Sequence, residues 1–213
     1  MTNKPILFSA PMIRALLDGR KTQTRRTLKP QPKEPRDWGD GLWVDEARER
    51  SAPMISGEKQ IVRYEIGDRL WVREAWGWDW YDDGQSRAWK NPVYRADNQK
   101  TPMDNGTPMP WKSSIHMPRR ASRLTLIVTD VRVQRLWNIS VPDCIAEGID
   151  HDADESELAL MKALADGDDR HKEKYADLWD CINGPGSWDA NPYVVAYTFS
   201  VHKCNIDAMP VNP

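Results

Sequence analysis

The sequence has few of the residues that build disulfide frameworks and metal sites. It contains three cysteines and four histidines among 213 residues. Cys144, Cys181 and Cys204 are odd in number, far apart and without the paired spacing of a zinc site, so they indicate reduced thiols. The histidines are equally scattered. We therefore expect no structural metal and no cofactor.

Long apolar runs are also missing. Hydrophobic residues make up 39% of the chain and its mean hydropathy is -0.73. No run approaches the ~18–20 apolar residues that a membrane span requires. Pro5, Pro11 and Arg14 interrupt the first residues and no small-residue cleavage site follows, which argues against a signal peptide. The sequence predicts a cytoplasmic protein without a membrane partner.

The charge is close to balanced overall but unevenly distributed. The formal net charge is -2, yet residues 14–36 and 112–135 are rich in Arg and Lys, whereas 143–169 is acidic. A local basic face attracts phosphate even on a nearly neutral protein, so RNA is a candidate partner. The eleven tryptophans leave two interpretations open, packing over a small core or stacking of one or two indoles on a base.

The N-terminal third predicts a strand, a helix and a second strand. "PILFS" is a short β-like run, and Ser9 is placed to cap a helix with Pro11 in its first turn. Gly19 supplies the left-handed residue that ends such a helix. "KTQTRRTLK" then alternates like a strand, with Thr22, Thr24 and Arg26 on one face.

The rest of the chain predicts further strands and two more helices. "GDRLWVREAW" and "PVYRA" indicate strands, and "SRLTLIVTDVRVQRL" indicates the central strand of a sheet. Ser140 opens a helix that ends at Glu147, before Gly148. Tyr175, Leu178, Trp179 and Ile182 mark an amphipathic helix, and "NPYVVAYTFSV" is the final strand. Residues 31–60 and 150–170 are predicted insertions, and 204–213 a loose tail.

The stretch "LLDGRKTQTRR" concentrates cations around Lys21. Crowded like charges and partial burial both lower a lysine pKa towards the ~7–8 that suits a catalytic base, and such a lysine can activate a threonine hydroxyl. The alternative is structural, because Arg20 and Lys21 just past a helix complement its dipole and threonines suit strands. In a regular strand Lys21 and Thr24 point to opposite faces, so they converge only if the chain is still turning at Lys21.

The same stretch resembles the entry motif of the ASCH domain family, Gly-x-Lys-Thr-x-Thr-x-Arg, with Gly19, Lys21, Thr22, Thr24 and Arg26 in the motif positions. "GDRLWVRE" resembles the family's Gly-Asp strand, and "CIAEGI" resembles a helix end in the family, with Glu147 at the acidic position. "SIHMPRRASRLTL" and "LWDCINGPGSWDANPYVVAYTF" are similar to its phage- and prophage-encoded branch. The resemblance covers most of the chain.

This resemblance implies an α+β fold with a PUA-like β-barrel and flanking helices. We expect a single domain over residues 1–203, interrupted by the two insertions. The implied location is the cytoplasm of a bacterial host cell. The resemblance also implies that the protein binds RNA or a modified nucleoside.

The resemblance implies two alternative activities. Small members of the family hydrolyse N(4)-acetylcytidine, which makes Lys21, Thr24 and Glu147 the expected catalytic residues of an amidohydrolase. In that reading Thr24 attacks the acetyl carbonyl, Lys21 accepts its proton and Glu147 moves protons to the leaving amine. Arg26 would hold the oxyanion or the Glu147 carboxylate. Other members are non-catalytic RNA-binding modules, some with proposed ribonuclease activity.

Further residues are candidates for contacting a substrate. Thr22 and Arg26 belong to the motif, and Trp71, Trp76 and His116 are candidates for stacking on a pyrimidine. Arg119, in a basic loop, is a candidate phosphate contact. The alternative for the aromatic residues is packing, and for the loop it is simple solvation.

Overall fold

The structure is a computed structural model. It describes residues 2–31, 54–55, 58–59, 62–82, 87–97, 101–104, 107–149 and 170–209. Most of the first predicted insertion and nearly all of the second lie outside the described residues. No helix in the described part of the chain is long and apolar enough to cross a membrane.

In the described part of the chain, strands lie at both ends and in the middle, with three α-helices between them. The helices are α1 (Ala10–Leu17), α2 (Val141–Ala146) and α3 (Arg170–Asn183). The strands are β1 (Asn3–Leu7), β2 (Gln23–Thr27), β3 (Met54–Ile55), β4 (Glu58–Lys59), β5 (Arg69–Arg73), β6 (Trp76–Asp82), β7 (Arg87–Tyr94), β8 (Met103–Asp104), β9 (Thr107–Pro108), β10 (Thr125–Arg135) and β11 (Tyr193–His202).

The principal sheet has five strands in the order β1-β5-β10-β11-β2. The predicted central strand, β10, is the middle strand of this sheet, and the α+β class is confirmed. The predicted closed barrel is not found among the described residues, because β1 and β2 are the edge strands of an open sheet. Barrel closure depends on pairing between distant strands, which local sequence patterns do not specify.

The chain divides into two compact units, each made of several segments. The first comprises residues 1–19, 67–127 and 200–213, and the second comprises 20–66 and 128–199. In the first unit β1 runs parallel to β5, which pairs antiparallel with the beginning of β10. A second sheet of the first unit has the order β7-β6-β8-β9. In the second unit β11 pairs antiparallel with β2, with Tyr197 opposite Thr24.

The core of the second unit lies between α2, α3 and the sheet. Its buried members are Leu136, Ile139, Cys144, Ile149, Tyr175, Trp179 and Val194. The predicted amphipathic face of α3 is confirmed at Tyr175 and Trp179. Ile182 differs, since 48% of it is exposed in the last turn of the helix. One apolar cluster therefore packs α2 and α3 against each other.

Local signals place the ends of α1 and α2 where the sequence predicts them. Ser9 precedes α1, and Gly19 follows it with a φ of 79°. Ser140 caps α2 by accepting a hydrogen bond from the Asp143 backbone N–H at 3.2 Å. Glu147 is the residue at which α2 ends, and Gly148 has a φ of 90°.

The segment after β11 differs from the predicted loose tail over the residues that the structure describes. The Asn205 side chain donates to the carbonyl oxygens of Arg119 and Ser122 at 2.8 and 2.7 Å. Ile206 is 2% exposed. These contacts hold residues 204–209 against the segment 119–122 of the same unit, because one buried isoleucine and a satisfied asparagine outweigh the polar composition of the segment.

The cap of α2 generates a stability prediction. Ser140→Ala should lower the free energy of unfolding by about 1 kcal/mol, because the backbone N–H of Asp143 in the first turn of α2 loses the Ser140 hydroxyl as its acceptor. Ser113→Ala is the matched control, since Ser113 precedes a 3₁₀ turn and makes no side-chain capping bond. Urea unfolding followed by circular dichroism measures both. Equal losses in the two variants would contradict the capping role.

Candidate functional site

The chain around Lys21 is fixed by backbone bonds to α2 and β11. The Thr22 N–H donates to the Ala146 carbonyl at 2.8 Å, and the Phe199 N–H donates to the Thr22 carbonyl at 2.9 Å. Lys21 therefore lies beside the C-terminus of α2, where Glu147 ends the helix. β2 begins only at Gln23, so Lys21 precedes the regular strand.

Lys21 and Glu147 form a buried ion pair. Lys21 Nζ lies 2.7 Å from Glu147 Oε2 and also donates to the Glu147 carbonyl oxygen at 2.7 Å. Lys21 is 0% exposed and Glu147 is 5% exposed. The structure thus brings together two of the three residues that the sequence analysis names as catalytic.

Arg25 is the second cation on the Glu147 carboxylate. Its Nη1 lies 3.1 Å from Glu147 Oε1, and its Nη2 lies 2.8 Å from Asp143 Oδ2. Gln23 supports this arrangement, because its amide oxygen accepts from Arg25 Nη1 at 2.5 Å and its amide nitrogen donates to Asp143 Oδ1 at 3.1 Å. Lys21, Gln23, Arg25, Asp143 and Glu147 are hereafter called the buried polar cluster.

Of the two roles expected for Arg26, contact with the Glu147 carboxylate is therefore corrected to Arg25. Gln23 and Arg25 share one face of β2, whereas Thr24 and Arg26 share the other. Lys21 and Arg25 bind opposite oxygens of the same carboxylate. Arg26 is half-buried, and its charge lowers the pKa of Lys21.

The electrostatic environment lowers the pKa of the Lys21 ammonium. Complete burial is the largest cause, because it penalises the charged form, while Glu147 acts in the opposite direction. The charges of Arg26 and Arg25 add to the lowering of the Lys21 pKa. The direction agrees with the sequence prediction, although burial contributes more than the neighbouring cations.

Asp143 remains ionised within the cluster. Its partial burial alone raises its pKa, but the Arg25 charge and the hydrogen bonds from Arg132 and Gln23 lower the pKa of Asp143 below its usual value. Arg132 Nη2 lies 3.1 Å from Asp143 Oδ1. Asp143 is therefore a fixed negative charge that binds Nη2 of Arg25, whereas Glu147 binds Nη1.

Thr24 is buried, with 2% of its surface exposed. Among the described residues no hydrogen bond joins its hydroxyl to Lys21 or Glu147. Its backbone pairs with Tyr197, a buried ring that packs edge-on against Tyr64 at 5.1 Å between centroids. Thr22, the neighbouring motif residue, is half-buried and contributes through its backbone bonds.

The remaining substrate-binding candidates belong to the first unit. Trp71 is half-buried, with the Arg73 guanidinium 5.1 Å from its ring centroid. Trp76 is buried against Met117 and Ala121, which fits the packing interpretation. His116 is exposed in a 3₁₀ turn, and Arg119 is paired with Asp207. Trp78, packed edge-on to Trp76 at 5.2 Å, is half-buried.

Cys144 lies in the core of the second unit, beside the buried polar cluster. Its burial raises the pKa of the thiol to about 12, so the group is protonated at neutral pH and is a poor nucleophile. The three cysteines are free. Within the described ranges, no group of three or more His, Cys, Asp or Glu residues is placed to hold a metal ion.

Sequence reasoning missed Gln23, Arg25 and Asp143. The available signal was periodicity: Asp143 and Glu147 are four residues apart, which places both carboxylates on one face of α2. Gln23 and Arg25 are two residues apart on one face of β2. One face of α2 thus carries two acids, and one face of β2 carries a cation. Once the two elements are known to be adjacent, these faces predict an ion-pair network.

Comparison of the chain with protein-family models, with curated proteins and with solved structures finds no match. The buried polar cluster therefore has to be interpreted from its own geometry.

The cluster predicts unequal costs for removing its members. Glu147→Gln should lower the free energy of unfolding by about 3–5 kcal/mol, because Lys21 and Arg25 both lose a buried counter-charge. Lys21→Met should cost less, since Glu147 then keeps Arg25. Urea unfolding at neutral pH measures both losses.

The pH dependence separates this explanation from simple loss of packing. A lysine whose folded-state pKa lies below its unfolded value of 10.5 loses its proton in the folded state first, so stability rises with pH up to about that value. Glu147→Gln removes the group that raises the Lys21 pKa. The loss should therefore shrink as the pH rises towards 10.5. A loss that is constant with pH would contradict an uncompensated charge on Lys21.

Proposed function

We propose that the protein binds RNA or a modified nucleoside and hydrolyses an N-acyl amide on a modified pyrimidine such as N(4)-acetylcytidine. The single observation that carries this proposal is the buried Lys21–Glu147 pair with its 2.7 Å contact. The proposal includes the PUA-like character of the fold, which rests on the resemblance to the ASCH family.

The proposed reaction begins at Thr24. Its hydroxyl oxygen attacks the acyl carbonyl carbon, and the hydroxyl proton passes to Lys21 in its neutral form. The bond between the carbonyl carbon and the exocyclic nitrogen then breaks, and that nitrogen receives a proton by way of Glu147. The acyl group is left as an ester on Thr24. Water activated by Glu147 hydrolyses the ester, which releases a carboxylate and restores the threonine hydroxyl.

Three features of the buried polar cluster support these roles. A lysine with a lowered pKa is more often neutral at a given pH and is therefore able to accept a proton. Its contact with Glu147 gives that proton a short path to a carboxylate. Arg25 and Gln23 fix the orientation of the cluster, which limits the rearrangement that proton transfer requires.

A second candidate function is a non-catalytic RNA-binding module. The observation that favours it is the complete burial of Lys21, together with the absence of a hydrogen bond between Thr24 and the Lys21–Glu147 pair in the described residues. In this reading the pair stabilises the second unit, and RNA is held by the basic surface alone. The two functions differ in whether Thr24 can reach Lys21 when substrate is bound.

Hydrolysis predicts non-additive losses of activity. Wild-type protein should release cytidine and acetate from N(4)-acetylcytidine. Thr24→Val keeps the branched shape but removes the nucleophile, and Lys21→Met removes the proton acceptor, so each should lower kcat by about 10²–10⁴-fold. The double variant should be scarcely worse than either single one, because the two residues act as a unit. Chromatography of free cytidine measures the rates.

Thr27→Val is the matched control for this experiment. Thr27 lies on the same strand, is half-buried and has no assigned role, so its variant should keep full turnover. Full turnover by Thr24→Val would eliminate the threonine nucleophile. A folded wild-type protein that is inactive on every acylated pyrimidine offered would favour the RNA-binding module.

RNA binding predicts a steep dependence on salt. Each phosphate that the protein neutralises releases counterions, so the logarithm of the binding constant should fall with the logarithm of salt by about 0.7 for each contacted phosphate of single-stranded RNA. Fluorescence anisotropy with labelled single strands at several salt concentrations measures this slope. No binding at low salt, or binding that does not depend on salt, would restrict the ligand to a free nucleoside.

A further inference from the structure

A cavity of about 480 Å³ opens in the first unit where α1 begins. Ser9 and Arg14 line it from the α1 segment, and Arg95 and Ser114 line it from segments further along the chain. The Arg95 backbone N–H donates to the carbonyl of Ala75, another wall residue, at 2.9 Å. The walls are thus tied together by a backbone hydrogen bond.

The cavity is positively charged. Eight of the described residues line it; two of these are arginines and none is acidic. Arg14 Nη1 donates to the Ala96 carbonyl oxygen at 3.1 Å, which fixes the guanidinium without neutralising it. Arg95 is exposed, and its side chain makes no ion pair with any residue in the described ranges. Both guanidinium groups therefore keep their charge available to a ligand.

Two carboxylates, those of Glu74 and Asp97, lie close in sequence to the cavity walls, and both are paired with Arg123. Arg123 binds both oxygens of Glu74 at 2.9 and 3.0 Å and also pairs with Asp97 at 2.7 Å. Glu74 adjoins Ala75, and Asp97 lies two residues after Arg95. Because Arg123 holds both acids, neither Arg14 nor Arg95 has a carboxylate partner among the residues that the structure describes.

Hydroxyl groups complete the polar lining. Ser9 precedes α1 but makes no side-chain capping bond, so its hydroxyl is not used by the helix. Ser114 supplies a second hydroxyl. The start of α1 adds little of its own, because Pro11 has no N–H. The positive character of the cavity comes from its two arginines.

We propose that this cavity binds the phosphate of a nucleotide, with Arg14 and Arg95 as the charged donors and Ser9 and Ser114 as hydroxyl donors. Guanidinium groups match phosphate oxygens in charge and in geometry. A volume of about 480 Å³ exceeds what a phosphate alone fills and lies within the range of sites for small organic ligands. The Phe8 ring, which also lines the cavity, offers an apolar wall to the nucleoside part.

The choice of a nucleotide over another phosphate ester rests on the proposed function. The cavity lies in the first unit, and the hydrolytic mechanism uses none of its residues. Its test measures binding and not hydrolysis. A protein that hydrolyses N(4)-acetylcytidine but does not bind phosphate would overturn this inference alone, and the reverse result would overturn only the hydrolysis.

Isothermal titration calorimetry in a phosphate-free buffer of low ionic strength tests the site. Cytidine 5′-monophosphate should bind at least about tenfold more tightly than cytidine, because each charged hydrogen bond contributes on that order. Inorganic phosphate should compete with the nucleotide. A short single-stranded RNA without a terminal phosphate shows which kind of phosphate the cavity accepts. If this RNA competes with the nucleotide, the cavity accepts an internal phosphodiester. If it does not compete, the cavity accepts a phosphate monoester.

Arg95→Gln is the decisive variant, because an exposed guanidinium can be removed without disturbing the fold. It should weaken nucleotide binding about tenfold or more, and Arg14→Gln should do the same if thermal unfolding shows that it is folded. Lys203→Gln removes one exposed charge from the same unit outside the cavity and should leave binding unchanged. No binding of phosphate or nucleotide by wild-type protein, or equal affinities for wild type and Arg95→Gln, would overturn the proposal.

Discussion

The second unit depends on the burial of a lysine. Moving an ammonium group out of water is strongly unfavourable unless it is paired and hydrogen-bonded. Lys21 Nζ meets this requirement by donating two hydrogen bonds to one residue, to the carboxylate and to the backbone carbonyl oxygen of Glu147. Because that carbonyl lies at the C-terminus of α2, the lysine also satisfies a carbonyl at the negative end of the helix dipole. One side chain therefore joins the start of β2 to the end of α2.

This arrangement constrains the register of β2. A slip of one residue would exchange the two faces of the strand, which would turn Thr24 and Arg26 towards α2 and turn Gln23 and Arg25 away from Asp143 and Glu147. The two backbone bonds of Thr22 oppose such a slip from both sides. In the observed register Glu147 pairs with Lys21, and Asp143, one helical turn earlier, pairs with Arg25. Burial of the cluster and the pairing of β2 with β11 therefore reinforce each other.

The sequence predicted the elements that depend on local signals. β1, α1 with Gly19 after it, β10 and the Ser140-to-Glu147 helix follow from capping residues, glycines and alternation, which act over a few residues. Arg25 holds the Glu147 carboxylate, which was one of the two roles expected for Arg26, and this could not be foreseen because it depends on where the turn ends and β2 begins. Ile206 and Ile182 were assigned to the wrong environment, since burial at the ends of elements is decided by distant neighbours. Closure of the sheet is equally non-local.

The two halves of the ion pair are separated by 126 positions in the chain. During synthesis at about 5–20 residues per second, Lys21 is added to the chain roughly 6–25 s before Glu147. In that interval the lysine has no carboxylate from α2 to pair with, and β2 lacks β11, its hydrogen-bonding neighbour. Contacts of such high sequence separation form late, because a long loop must be closed before they contribute. The basic segment around Lys21 can therefore join the core of the second unit only after β11, at residues 193–202, has been added to the chain.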